Sequence, residues 1–120
     1  MCKDIGMSRR ASDETAIRLS ALEEDMLSLL VGKELYGLAI IDAMQEANGH
    51  AIGIGSLYPT LHRMELKGLI RSWWGVDTPE ERGHARRRYY TATGLGQLVL
   101  TTTQRKRRLL AQWRPVWERG

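Results

Sequence analysis

The sequence predicts a mainly α-helical fold with one small β-hairpin and a long C-terminal helix, and three observations predict it. Apolar residues recur at helical spacing in three successive stretches between Thr15 and Gly68. The period then falls to two in Leu69 to Trp74 and in Arg86 to Ala92, on either side of a run of turn residues. Beyond Thr93 no proline interrupts the chain until Pro115, so one helix can run most of that distance.

In the first stretch Ile17, Leu19, Leu22, Met26, Leu29 and Leu30 follow the helical period. Ser20 and Glu23 have capping-box spacing, so a helix can begin there, or it can run unbroken from about Asp13. Gly32 is a natural stop. The second helix follows Gly37, with Leu38, Ile41 and Met44 in register beside Ala39 and Ile40, and Asn48-Gly49 offers a left-handed exit.

For the third helix the sequence suggests Ser56 as N-cap and Pro59 in the first turn, where a missing N–H costs little. Leu57, Leu61 and Met64 form the buried stripe, and Gly68 stands at the C′ position. At about 100° per residue, Pro59, His62 and Arg63 project away from that stripe, with Tyr58 and Lys67 flanking it. In the hairpin, Tyr90 and Ala92 share the face turned to the core, while Tyr89 and Thr91 share the other. Thr93 caps the last helix, which carries two apolar clusters. Leu95, Leu98, Val99 and Leu100 form one; Leu109, Leu110, Trp113 and Trp117 form the other. A helix of about twenty residues is about 30 Å long, so its distal end overhangs a body of this size. Two arrangements would cover the second cluster: a symmetric dimer through Leu109, Leu110, Trp113 and Trp117, or a fold back onto the first helix.

At 120 residues the chain is close to one domain and long enough for a core without staples. Apolar residues at 42% and charged residues at 27% are those of an ordinary globular chain. Cys2 is the only cysteine, which excludes an intrachain disulfide and a multi-cysteine zinc site. No run of 18 apolar residues and no apolar leader core is present, so a cytoplasmic location is expected. The domain organisation read from these patterns is a frayed tail over 1–12, a compact body over 13–93 and a dimerisation helix over 94–120.

Charge divides the chain more sharply than the net +4 suggests. Residues 1–60 hold five Lys/Arg against nine Asp/Glu, whereas residues 61–120 hold thirteen against five. A cationic half on a weakly acidic half suits a polyanion such as nucleic acid, although basic residues spread over solvated faces would give the same count.

Helix, helix, helix, hairpin, helix is the order of a winged helix-turn-helix, in which the third helix enters the major groove and the hairpin lies beside it as a wing. The residue types suit those places. Ser56 and the amides of the Gly53-Ile54-Gly55-Ser56 turn can meet a phosphate, and Tyr58 can donate its hydroxyl to another. His62 and Arg63 stand where base edges would lie, with Pro59 and Lys67 on the same surface. Arg82, His84, Arg86, Arg87 and Arg88 cluster near the hairpin tip, suited to a DNA backbone or minor groove.

With these elements in place, Leu35 to Gly96 resembles the PadR family of bacterial transcriptional regulators. The resemblance rests on Leu35-Tyr36-Gly37, on Gly55 through Glu65, and on Gly68-Leu69-Ile70 with Trp74-Gly75. It extends through Gly83, Arg86-Arg87-Arg88-Tyr89-Tyr90 and Thr93. It implies a homodimeric, nucleoid-associated DNA-binding protein, usually a repressor, whose C-terminal helices pair, in a family whose members commonly respond to small aromatic or amphipathic compounds, so that a small aromatic effector is expected. Trp113 and Trp117 are the candidate effector residues, with dimer core as their other reading. Leu38, Leu66 and Trp73 depart from the family pattern, and Leu66 and Trp73 are expected to pack on the first or last helix. They also motivate the alternative of a winged-helix adaptor that binds a protein and no specific DNA.

No catalysis is expected. His50, His62 and His84 form no metal-ligand pattern, no Ser–His–Asp or Cys–His arrangement shares an element, and Gly53-x-Gly55 lacks the third glycine of a dinucleotide site. No cofactor is expected.

Overall fold

A computed structural model describes residues 17–50, 52–75 and 86–119. The N-terminal tail, a helix start near Asp13, and the hairpin tip with Arg82 and His84 lie outside these residues.

Helix α1 spans Ala21–Leu30, and of the two starts the one at Ser20 is found. The Glu23 amide donates to Ser20 Oγ at 3.2 Å, and the Ser20 amide donates back to Glu23 Oε1 at 2.9 Å, so two helix-end donors are satisfied at once. The chain leaves the helix through Val31 and then Gly32, whose φ of +73° is left-handed.

The two-residue strand β1, Leu35–Tyr36, runs directly into α2, Gly37–Asn48. Asn48 Nδ2 donates to the Met44 carbonyl at 2.9 Å, and Gly49 closes the helix at φ +76°. The buried row of α2 is Gly37, Ile40 and Met44. Leu38, expected in the apolar stripe, is instead exposed. The row centres on positions i, i+3 and i+7 from Gly37, and Leu38 lies about one residue's rotation of 100° off it.

Helix α3, Ile54–Leu66, begins earlier than the sequence suggests. Gly53 is the N-cap, because its carbonyl already accepts the amides of Ser56 at 3.0 Å and Leu57 at 3.1 Å. Ser56 is therefore inside the first turn, and Pro59 stands a turn deeper than expected. Thr60 Oγ1 donates to the Ser56 carbonyl at 2.7 Å across the same turn. At the other end Gly68, φ +77°, donates to the Glu65 carbonyl at 3.0 Å and Leu69 to the Met64 carbonyl at 2.9 Å. This pair of bonds is a Schellman ending, and a left-handed residue is required there.

Strands β2, Ile70–Trp74, and β3, Arg88–Ala92, pair antiparallel with Ile70 opposite Ala92 and Trp74 opposite Arg88. The sheet is not a bare hairpin. β1 joins the other edge of β3, giving the order β1-β3-β2, with Leu35 opposite Tyr90 and Tyr36 opposite Tyr89. Tyr90 is buried, as its face predicts. Thr91 on the opposite face is buried as well, and its hydroxyl donates to the Lys33 carbonyl at 2.7 Å, because the end of α1 covers that face.

Helix α4, Gly94–Gln112, is capped by Thr93, whose Oγ1 accepts the Gly96 amide at 3.1 Å and donates to the Gly68 carbonyl at 2.6 Å. The root of α4 sits directly on the sheet: a Cβ on Gly96 would run into the Leu69 carbonyl oxygen. Further along, Arg107 NH1 pairs with Glu24 Oε2 at 2.7 Å. The helix ends at Trp113, before Pro115 and a 3-10 turn over Val116–Glu118.

Met26, Leu27, Leu30, Ile40, Leu57, Leu61, Met64, Leu69, Ile70 and Val99 meet in a single core contributed by all four helices, β2 and the residue before it. Leu109, Leu110, Trp113 and Trp117 stay outside it, so the fold back onto α1 that would have buried them is not found. Leu66 is 75% exposed and packs on neither α1 nor α4.

Candidate nucleic-acid interface

The outer side of α3 is polar because the inner side is used up by Leu57, Thr60, Leu61 and Met64. Tyr58, Pro59, His62 and Arg63 all stand on the outer side and are exposed. Arg63 NH2 donates to Thr60 Oγ1 at 3.1 Å, a contact within its own helix that leaves the guanidinium at the surface. Ser56 is exposed too, but its amide is already bonded to Gly53. The amides of Ile54 and Gly55, first in the helix, have no intrahelical acceptor and keep the anion-binding capacity of a helix start.

Tyr58 is held by a glycine. Its hydroxyl end lies where a Cβ of Gly37 would be, so α2 and α3 approach across that residue. With Tyr36, Trp74, Arg88 and Tyr90 it walls a cleft of about 630 Å³ between the start of α2, helix α3 and the sheet. Burial pushes the Tyr90 phenol above its ordinary value, against the pull of nearby Arg88, so it stays neutral there.

Lys67 is turned toward α1. Its Nζ lies 3.0 Å from Glu23 Oε2, a carboxylate whose side chain is only 4% exposed. This pair joins the end of α3 to the start of α1 and makes Lys67 a fold-holding residue first.

The arginines at the base of the wing are each fixed by a neighbour. Arg86 donates from Nε and NH2 to the Gly75 carbonyl at 3.3 and 3.2 Å. Arg87 lies 4.6 Å over the Tyr36 ring, and Arg88 lies 5.1 Å over Trp74 with Glu65 Oε2 at 3.8 Å from its NH2. Glu65 in turn accepts the Ser72 hydroxyl at 2.9 Å. The structure thus brings Tyr58 of α3 and Arg86, Arg87 and Arg88 of the wing to one cleft. Sequence reading missed the groups that hold Arg87 and Arg88, namely Tyr36, Trp74 and Glu65, and the Ser72 hydroxyl that bonds Glu65. Each acts on a partner distant in the chain or on another element, so no local spacing reveals it.

At the far end of α4, Leu109, Leu110 and Trp113 are exposed and Trp117 is 84% exposed, with the Arg119 guanidinium 5.7 Å over the Trp113 ring. Among the described residues no helix is long and apolar enough to cross a membrane.

A three-helix body with an exposed third helix beside a basic two-stranded wing defines the class: a winged-helix DNA-binding transcriptional regulator. The profile of the transcriptional regulator PadR-like family matches residues 26–102. The transcriptional regulator Rv3488 of Mycobacterium tuberculosis is 33% identical over 106 residues, covering 86% of each chain. A 37.1 kDa protein of a Streptomyces fradiae transposon is 37% identical over 75 residues, which are 62% of this chain and 19% of that protein. The chain therefore matches about a fifth of that relative's length. Among solved structures, a PadR-like transcription factor from Bacteroides fragilis has a TM-score of 0.67 at 28% identity, over 76% of this chain and 84% of that one. A PadR family regulator from Eggerthella lenta has a TM-score of 0.63 at 28% identity, over 91% and 88%. The chain belongs to the PadR-like family of transcriptional regulators, a family of regulators and not of enzymes.

Proposed function

We propose that the chain is a homodimeric, cytoplasmic repressor that binds a pseudo-palindromic operator, with α3 in the major groove and the arginine-bearing wing beside it. The observation that carries this reading is the exposure of Tyr58, Pro59, His62 and Arg63 on one side of α3, next to Arg86, Arg87 and Arg88. Ser56 adds a polar group at the helix start, and the tip residues Arg82 and His84 continue the basic wing in sequence. Residues 13–93 form the DNA-binding unit and 94–120 the dimerisation unit, with 1–12 a tail. The exposed Leu109, Leu110, Trp113 and Trp117 support a dimer through the far end of α4, since an apolar patch on an overhang calls for a cover.

Selection of bound sequences from random duplex DNA tests the reading. Half-sites about 34 Å apart, one helical turn, are expected if two α3 helices enter successive major grooves. Affinity should fall about 10³–10⁵-fold between 50 and 200 mM salt if six to ten phosphates are neutralised. Recovery of no common sequence together with salt-independent binding would overturn it.

Release by a small aromatic effector completes the proposal. On a single protomer Trp113 and Trp117 are exposed, whereas the cleft beside Tyr58 has aromatic walls and is large enough for a small ligand. The exposed Leu66 favours one second reading, a protein-binding adaptor, which a gel shift compared with a pull-down separates from DNA binding.

A further inference from the structure

We propose that a stack of three aromatic rings, Trp73, Tyr89 and Tyr36, sets the angle of the wing to the reading helix, so that Trp73 and Tyr36 are positioning residues for Arg87. The inference rests on the DNA-binding reading above. It accounts for Trp73, a residue that the core does not use and that the family resemblance leaves unexplained.

The rings lie on one face of the sheet and cross all three strands. Trp73 of β2 stands opposite Tyr89 of β3, and Tyr89 stands opposite Tyr36 of β1. Trp73 and Tyr89 are stacked, with centroids 6.1 Å apart and planes at 19°. Tyr89 and Tyr36 meet edge to face at 5.8 Å and 73°. A guanidinium closes each end: Arg71 lies 5.0 Å over Trp73 and Arg87 lies 4.6 Å over Tyr36. None of the three rings is fully buried, so the stack is not an extension of the core.

Position gives the stack its consequence. Tyr36 is the residue immediately before α2, and Gly37 after it is the surface on which Tyr58 of α3 lies. The middle ring reaches the wing: a Cβ on Gly75, the residue after β2, would lie 2.7 Å from Tyr89 Cε2, so that ring is pressed against the strand's exit. Strand β1 has only two residues to pair with β3, too few for the backbone ladder alone to define an angle. Edge-to-face and offset-stacked rings have preferred geometries, and guanidiniums have a preferred place over a ring face. Side-chain geometry therefore supplies the orientation that so short a ladder lacks. One continuous set of contacts then runs from Tyr58 through Gly37, Tyr36 and Tyr89 to Trp73, and Arg87 is attached along it.

The test uses the full chain on its selected operator, with Trp73→Ala and the conservative Trp73→Phe. For Trp73→Ala the slope of log affinity against log salt should become shallower by about two, the value of one lost phosphate contact on each of the two protomers. Hydroxyl-radical protection of the backbone flanking each half-site should weaken, while base preference under α3 stays as in the wild type. Trp73→Phe should restore slope and flanking protection. A Trp73→Ala variant with wild-type slope and wild-type flanking protection overturns the inference. So does one in which slope, flanking protection and base preference decline together with the melting temperature and Trp73→Phe rescues none of them, since that is the signature of a purely structural residue. A wild-type chain that protects no DNA overturns the DNA-binding reading, and this inference with it.

Discussion

The ammonium of Lys67 lies 3.0 Å from the buried carboxylate of Glu23, tying the end of α3 to the first turn of α1. The same carboxylate closes the Ser20 capping box. Burial alone would lift the Glu23 carboxyl, but the Ser20 amide and Lys67 outweigh it and hold the group below its ordinary 4.5. A depressed folded value stabilises the native state above the unfolded value, and that contribution is lost as pH falls below about 4.5 through the folded value. Glu23→Gln should therefore cost about 1–3 kcal/mol at neutral pH and flatten the acid limb of stability. Urea unfolding of both proteins between pH 3 and 7 checks it, and parallel curves would remove Glu23 from the acid response.

Two glycines separate side-chain crowding from backbone crowding. At Gly37 an added methyl meets the far end of Tyr58, which can swing away, so Gly37→Ala should fold with little change in melting temperature and lose DNA affinity as Tyr58 moves. At Gly96 the obstacle is the carbonyl of Leu69, which cannot move without the sheet. Gly96→Ala should destabilise by about 1–3 kcal/mol, overriding the roughly 1 kcal/mol by which alanine favours a helix. Thermal melts of the two variants side by side test the contrast.

Arg63 is exposed on α3, and its guanidinium hydrogen-bonds Thr60 of its own helix, so its removal should leave the fold intact. Arg63→Ala is expected to cost about 1–3 kcal/mol on the preferred operator and to relax selectivity at one base pair. Tyr58→Phe should weaken all duplexes by a similar factor, the behaviour of a phosphate contact. Binding to a panel of single-base operator variants distinguishes the two patterns, and unaltered selectivity in Arg63→Ala would count against base reading.

Leu110 and Trp113 contribute nothing to the intrachain core. Leu110→Asp combined with Trp113→Ala should therefore leave helix content unchanged and move the sedimentation coefficient from dimer to monomer. A wild-type chain that sediments as a monomer at micromolar concentration would remove the dimer from the proposal.

The helices were readable in the sequence because their ends are local. Ser20 with Glu23, Gly68 and Thr93 act on residues within a turn, so their spacing carries the information. Ser56 misled because it has the chemistry of a cap, while the true cap, Gly53, works through its carbonyl and leaves no side-chain signature. Strand β1 was invisible because two residues cannot display a period; it exists only because β3 offers an open edge. The exposed polar side of α3 was legible from its stripe. The partners that fix Lys67, Arg87 and Arg88 were not, since those contacts depend on tertiary placement.

Leu69 is where the molecule has no cushion. Its amide ends α3, its carbonyl accepts the Thr93 amide at 3.0 Å, and the bare Cα of Gly96 rests on that same carbonyl. Helix α4 is seated there on backbone and is held further along by Val99 in the core and by Arg107 on Glu24, so a sideways load at Trp113 is carried to α1 as well as to the Leu69 carbonyl beside the last turn of α3. Whatever grips the outer end of α4 therefore acts through two anchorages, one of which adjoins α3.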